Sequence, residues 1–572
     1  MAIALLACIL TACDGTARPT TQGQPEIATP RAASRPAAEG QRFMVAAANP
    51  HAVEAGVAIL RAGGSAADAA IAVQMVLNLV EPQASGIGGG GFLIHYAAAT
   101  GEIAAFDGRE VAPASAKGDR FLGADGKPIA FEAAVRSGLS VGVPGVLRML
   151  ERVHKEHGRL PWARLFEPAI AIAEKGFAVS PRLHASLKAD PTLRAMAAGS
   201  YFYAPDGQPR AIGETLRNPE LAATFRTIAR EGADALYRGT LAADIVDAVA
   251  KAPRAPGGMS LADLAGYEAK KRSAVCAPYR AWRVCGMPPP SSGGPTVLQI
   301  LALLEGFDLG HMAPESLESV HLVAEASRLA FADRNAFIAD PDFVAVPLDR
   351  LLERTYLRDR ARLISPERDM GTAKPGLPLD RAEQPNDTTH STSHISIVDG
   401  AGNVVAFTSS IEHMFGSGLM VHGFLLNNQL TDFSFVPSKD GRPIANRVEG
   451  GKRPRSSMAP TIVFDSARRP ILAIGSAGGA SIIATVTKAL IETLDGKRDV
   501  QAAIDAPNFA NRNGPTELES GTALDALRTP LEAMGHAVVL TEIPSGLHGI
   551  AIDGRTLRGG ADPRREGVAL GE

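Results

Sequence analysis

Apolar and polar positions fall into two regimes that meet near residue 392. Before it, apolar residues recur at helical spacing. Ala52–Ala62 and Ala66–Val80 read as two helices parted by Gly63-Gly64, with Ser65 placed to cap the second. Residues 145–270 continue in this manner between Pro and Gly punctuation, and Leu317–Phe337 is a further helical run. The loop Pro288-Pro289-Pro290-Ser291-Ser292-Gly293-Gly294 is rigid, then flexible, and leads into a helix from about Pro295. Asp369–Asp387 is polar, Pro-rich and poorly periodic, which predicts an exposed linker. From Thr392 the period shortens to two. Thr392–Asp399 alternates as a strand, Gly400–Asn403 turns the chain, and Val404–Ser410 returns. Strand-like runs follow at Gly423–Leu426, Thr461–Asp465 and Ile471–Gly475, then helices at Ala480–Leu494 and Val500–Ala506. Strands flanked by helices on both sides predict a layered sandwich.

One glycine run tests a common alternative. Gly86-Ile87-Gly88-Gly89-Gly90-Gly91 satisfies the spacing of a dinucleotide fingerprint, which must follow a strand and open a helix. Here the run follows a helix and precedes the strand-like Phe92–Ala97, so it reads instead as a turn that lets two backbones approach closely.

Composition narrows the class. With 45% hydrophobic and 21% charged residues over 572 positions, this is ordinary globular chemistry. A net charge of −3 with no concentrated basic face argues against a nucleic-acid partner. Ala2–Ala12 is an apolar run too short to span a bilayer, and it ends in Leu10-Thr11-Ala12-Cys13, which resembles a bacterial lipobox. The expectation is a signal over 1–13, with Cys13 lipidated, a disordered tether over 14–42, and an exported, periplasmic, membrane-anchored protein. No Lys or Arg precedes the run, and Cys8 and Cys13 also read as small hydrophobes of a signal core. Cys276 and Cys285 flank a hairpin-like stretch, as a disulfide or as two buried thiols. No CxxC, HExxH or Cys/His cluster is present, so no metal or cofactor is expected.

The change of period at Thr392 has a chemical reading. A Thr hydroxyl is a weak nucleophile until a base takes its proton, and the α-amine of a chain-initial Thr can be that base. Such an amine titrates near ~7.7–8.0, suited to proton shuttling at neutral pH. The design needs a peptide bond that breaks just before a Thr opening a buried strand. Thr392 fits, with cleavage at Ser391–Thr392 giving pieces over 43–391 and 392–572. Thr388-Thr389-His390 repeats the Thr-x-His pattern and makes Thr388 the competitor; the strand phase and the Asp399-Gly400 turn favour Thr392.

Seven stretches in order then carry a family resemblance. They are Gly88–Gly91 with Phe92, Arg109–Pro113, Pro288–Gly294, Thr392–Asp399, Leu425–Phe433, Arg453–Ile462 and Gly475–Gly479. From Phe43 to the C-terminus the chain resembles the γ-glutamyltransferases (glutathione hydrolase proenzymes) of the N-terminal-nucleophile hydrolase superfamily. The resemblance implies an α+β fold, a four-layer αββα sandwich, and two fragments forming a heterodimer. It implies a γ-glutamyl substrate such as glutathione, water or an amine acceptor, and no cofactor. Thr392 would be the nucleophile, and Ser410, where the family often has Thr, would bond its hydroxyl or amine. Gly478 and Gly479 would form an oxyanion hole. Arg109, Ser456 and Ser457 would take the α-carboxylate of the glutamyl group, and Asp432 and Gln429 its α-ammonium. The competing local readings are a surface ion pair for Arg109 with Glu110 and plain turns for the others.

Two departures from the pattern bear on specificity. Glu412 stands where typical members carry Asn, and the stretch from Asp432 to Ser456 is compact, so a lid over the site would be short or absent. Glu412 would strengthen ammonium binding or reshape the acyl pocket. Two rival functions follow: an acylase on the same scaffold that removes glutaryl side chains from β-lactams, and a non-catalytic exported binding lipoprotein. The second predicts one uncut band near 59.6 kDa.

Overall fold

The structure, a computed structural model, describes residues 35–384 and 391–572. Cys13, the signal over 1–13 and Thr388 lie outside the described residues, as does most of the tether.

Two seven-stranded sheets form the centre. One runs in the order Val568–Gly571, Met44–Ala47, Ser391–Val398, Val404–Glu412, Gly90–Ala97, Glu102–Gly108, Lys270–Ser273. The other runs Ala38–Gly40, Thr556–Ala561, His548–Asp553, Pro470–Gly475, Thr461–Phe464, Trp282–Gly286, Val275–Tyr279.

Side-chain alternation decides how they stack. In the first sheet Met44, Ala46, Ile94, Val398, Val404 and Ala406 pack with Ile462, Ala473 and Ile550 of the second, forming the core between the sheets. Their neighbours Val45, Leu93, Ile395, Ile397, Val405 and Phe407 point the other way, onto helices that include Pro50–Arg61, Ala66–Val80 and Val146–His157. Val463, Leu472 and Ile474 of the second sheet likewise meet Gly293–Leu303, Leu317–Phe337 and Ser481–Leu494. The result is a four-layer αββα sandwich.

Local chemistry explains the element ends. Ser65 and Asp68 close a capping box on the Ala66–Val80 helix, so that helix starts where the sequence reading placed it. The glycine run is a close approach: a Cβ on Gly89 would lie 2.2 Å from the Ser410 carbonyl oxygen, and one on Gly88 2.0 Å from that of Leu425. Cys276 and Cys285 face each other across an antiparallel pair with Cα atoms 4.1 Å apart and are joined as a disulfide.

Three readings need correction. The tether over 14–42 extends too far, because Ala38–Gly40 pairs with Gly559, Arg558 and Leu557 at a sheet edge. Three residues are too few for periodicity to register. Asp369–Asp387 lacks regular elements through Gln384 but is pinned rather than loosely exposed. Asp369 N–H bonds the Met534 carbonyl at 2.8 Å, Ala373 N–H the Asn513 side chain at 2.8 Å, and Gln384 N–H the Asn335 carbonyl at 3.1 Å. The helix expected from Pro295 begins at Gly293.

Candidate active site

The central hairpin changes character along its length. Its register pairs Val398 with Val404, Ser396 with Ala406 and His394 with Thr408, all on the face toward the second sheet. Apolar packing thus gives way to a polar column. His394 Nδ1 meets Thr408 Oγ1 at 2.8 Å and Nε2 meets Ser396 Oγ at 3.1 Å. Burial holds the His394 imidazole well below its usual range, so it is neutral. Beyond it the column ends in Thr392 and Ser410, where the register shifts between Ser391 and Ser393.

That end opens into a cleft lined by Arg109, Thr392, Ser410, Glu412, Gln429, Asp432, Ser456, Ser457 and Gly479, with Met458, Ala480 and Ile482. Nine of the residues expected from the sequence therefore share one cavity wall. A larger hollow at the opposite end of the strands, around Asp399 and Arg555, contains none of them.

Around the Ser391–Thr392 bond the backbone is held on both sides. Ser410 Oγ donates to the Ser391 carbonyl at 2.9 Å and accepts from the Glu412 N–H at 2.8 Å. The sequence reading put this hydroxyl on Thr392 itself; in the uncut chain the Thr392 nitrogen is still an amide, and the neighbouring carbonyl is the acceptor. Arg565 Nη1 donates to the Thr392 carbonyl at 2.9 Å and Nε to the Ser545 carbonyl at 2.7 Å. Behind the strand Ser393 Oγ donates to Glu81, and Ser85 Oγ to Ser393 Oγ at 3.2 Å. Arg565, Glu81 and Ser393 were not anticipated. Arg565 acts across 173 residues of chain, and no local pattern marks it.

The far wall carries charge. Arg109 is fully buried, which removes the surface-pair reading. Its Nε donates to the Pro454 carbonyl at 3.1 Å and Nη2 to the Arg455 carbonyl at 2.9 Å, and Nη2 also pairs with Asp432. Gln429 Nε2 donates to the same Asp432 oxygen at 2.9 Å. Ser456 and Ser457 are set by their neighbours. Ser292 N–H bonds the Ser456 carbonyl at 2.7 Å, and Arg334 Nη2 donates to Ser457 Oγ at 2.7 Å. The Pro288–Gly294 motif thus acts as a bracket for the serine pair. Glu412 takes φ 81°, rare for a side-chain-bearing residue, and its carboxylate accepts from Asn428. Between Asp432 and Ser456 stands only a short hairpin, Ser438–Lys439 against Arg442–Pro443.

Gly478 and Gly479 lie between the Pro470–Gly475 strand and the Ser481–Leu494 helix. Both take positive φ, 118° and 57°, and a Cβ on Gly478 would lie 2.3 Å from the Pro544 carbonyl oxygen. Glycine is required there, and the helix N-terminus it delivers to the cleft favours negative charge.

One buried acid gives a pH prediction. Burial raises the Glu110 carboxyl to about 8, against the opposing pull of Arg109. With a folded pKa above the unfolded ~4.3, its stabilisation is complete below that value and is lost as pH rises toward about 8. Glu81, raised by burial to about 7, works in the same direction. Buried histidines such as His394 and His548, held below their usual range, pull the other way, so the readout is a difference: relative to the unaltered protein, Glu110→Gln should gain melting temperature as pH rises from 5 to 8. An unchanged slope in the variant would show that Glu110 does not titrate there.

Comparison with known proteins agrees with this geometry. The family model described as Gamma-glutamyltranspeptidase matches residues 52–572. A glutathione hydrolase proenzyme of Bacillus subtilis (strain 168) is 37% identical over 548 residues, covering 93% of this chain and 92% of its own. The Acylase ACY 1 proenzyme of Pseudomonas sp. (strain SE83) is 35% identical, covering 93% of this chain and 94% of its own. Among solved structures, the cephalosporin acylase from Bacillus halodurans superposes with a TM-score of 0.83 at 27% identity, covering 95% of this chain and 98% of that one. The chain belongs to the γ-glutamyltranspeptidase family.

Proposed function

We propose that this protein is a self-cleaving γ-glutamyl hydrolase and acyltransferase that uses Thr392 as nucleophile and acts on glutathione-like γ-glutamyl amides. The observation that carries the reading is the cleft itself, where Thr392, near the start of its strand, shares a wall with the Arg109–Asp432 pair. An ion pair of that kind is complementary to a zwitterion: the α-carboxylate goes to Arg109, Ser456 and Ser457, the α-ammonium to Asp432, Gln429 and Glu412.

Maturation begins with Thr392 Oγ attacking the Ser391 carbonyl carbon. Charge develops on the Ser391 oxygen, onto which Ser410 already donates. The acyl group passes from nitrogen to oxygen, and water then hydrolyses the ester. The shift frees the Thr392 amine, and the hydrolysis frees its hydroxyl and parts the chain after Ser391, leaving 392–572 as the smaller fragment. In turnover that amine takes the Oγ proton as Oγ attacks the γ-amide carbon. Gly478 and Gly479 N–H groups stabilise the oxyanion, at ~3–4 kcal/mol per donor. The amine product leaves with the proton, and water or an acceptor amine releases the γ-glutamyl ester. The fragments stay paired because their strands alternate within one sheet. Export to the periplasm with a lipid anchor on Cys13 completes the proposal; among the described residues no helix is long and apolar enough to cross a membrane.

The acylase reading is the second, favoured by the Pseudomonas and Bacillus halodurans relatives and by Glu412. One experiment addresses both. N-terminal sequencing of the smaller fragment should begin at Thr392, and γ-glutamyl-p-nitroanilide should be cleaved in preference to glutaryl-p-nitroanilide. A different first residue overturns the nucleophile; a clear glutaryl preference overturns the substrate.

A further inference from the structure

Away from the cleft, a second group of ionisable side chains is gathered in the interior. His321 and Glu325 stand one turn apart on the Leu317–Phe337 helix, and His536 reaches them from the C-terminal region; all three are buried. One ligand-capable atom from each lies within 4.8 Å of the others. Asp369 adjoins them, its Oδ1 3.7 Å from His536 Nδ1. None of these residues lines the Thr392 cleft.

Their outer atoms are held in place by neighbours. His321 Nε2 is 2.7 Å from the Ser365 carbonyl, an oxygen that can only accept, so Nε2 carries the hydrogen and Nδ1 presents its lone pair. His536 Nδ1 is 2.8 Å from Thr516 Oγ1. Glu325 Oε2 accepts from the Met370 N–H at 2.9 Å. Arg328 pairs with Glu325 at 2.9 Å and with Asp369 at 2.8 Å. One guanidinium thus serves both carboxylates. The inward atoms, His321 Nδ1 and His536 Nε2, face each other at 2.7 Å.

We propose that His321, Glu325 and His536, with water as a fourth ligand, bind a zinc-like divalent cation that fastens the C-terminal region to the rest of the enzyme. Two imidazoles and a carboxylate are a borderline donor set suited to zinc. The bonds from Ser365, Thr516 and Met370 are the outer contacts that orient metal-binding histidines and carboxylates. On binding, the hydrogen on His536 Nε2 moves to Nδ1, where Thr516 Oγ1 at 2.8 Å accepts it and Arg328 Nη2, now 3.4 Å from Nδ1, turns aside. Ligands at ~2.0–2.1 Å in a tetrahedron lie about 3.3 Å apart, so the two rings part slightly to admit the ion. The sequence reading looked for closely spaced motifs, and this set is invisible to that search because His536 lies 215 residues from His321.

The cation joins separate polypeptides only if the Thr392 cleavage reading holds; binding of the ion does not depend on it. The purified enzyme, stripped with chelator and desalted, is titrated with zinc chloride and then desalted again. The expected result is on the order of one zinc per precursor equivalent by elemental analysis, and a melting temperature that rises with zinc concentration. The His321→Gln/His536→Gln variant should hold less than about a tenth of that zinc, with a melting temperature indifferent to it. Should this variant not fold, cobalt(II) added to the unaltered enzyme must give the visible absorption of a nitrogen-bound ion. Wild-type protein that retains no zinc and gives no cobalt spectrum overturns the proposal, as does a folded variant that retains as much. The same titration on uncut Thr392→Ala protein separates the two readings: zinc bound there upholds the site whatever becomes of the cleavage.

Discussion

Thr392→Ala should yield a single uncut chain near 59.6 kDa with no measurable turnover. In the proposed mechanism one hydroxyl performs two reactions, and no neighbour stands ready to replace it. Ser410 is occupied with the Ser391 carbonyl, and Ser393 faces away from the cleft toward Glu81 and Ser85. Loss of a hydrolase nucleophile costs on the order of 10⁶ in rate. Thr392→Ser should keep both reactions at reduced rate, since the attacking atom remains. Gel migration and p-nitroanilide release check the pair. Processing that persists in the alanine variant would assign the cut to Thr388 or to an external protease.

The second large effect is expected at Arg109. Arg109→Met leaves Asp432 beside Glu110 without its buried cation, and breaking such a pair costs ~3–5 kcal/mol. In the proposed binding mode the same guanidinium anchors the α-carboxylate, so kcat/KM should fall by roughly 10²–10⁴-fold. The contrast with Asp432→Asn is informative. A glutaryl chain has the distal carboxylate but no ammonium, so Arg109→Met should depress both substrates. Asp432→Asn should depress γ-glutamyl hydrolysis far more than glutaryl hydrolysis. Equal losses in the Asp432 variant would mean that Asp432 serves Arg109 and does not meet the ammonium.

The sandwich was legible where an apolar run or a helical period stood clear of glycine, including strands as short as Thr461–Phe464. The Thr392–Asp399 and Val404–Ser410 hairpin is the clearest case, because Ile395, Ile397 and Val405 on one parity and Val398 and Val404 on the other serve two buried faces. His548–Asp553, Thr556–Ala561 and Val568–Gly571 gave no such signal, since Gly549, Gly559, Gly560 and Gly571 interrupt their apolar pattern. The candidates named from local motifs, Arg109, Asp432, the serine pair and the glycine pair, fall in one cavity wall or beside it. What could not be foreseen were partners distant in sequence. Arg565 reaches Thr392, and Arg334 reaches Ser457, only through tertiary packing. The Ser410 contact depended on the chemical state of the chain, with an amide where the proposed mature enzyme would have an amine.

Met44–Ala47 sits in its sheet between Val568–Gly571 and Ser391–Val398, a donor from one side of Thr392 clasped by two from the other. Made as two separate polypeptides, neither half could complete a ladder, and each would display raw edges prone to clumping. Assembly from separate halves should therefore be second order in protein and compete with precipitation. Synthesis as one continuous thread makes that encounter intramolecular.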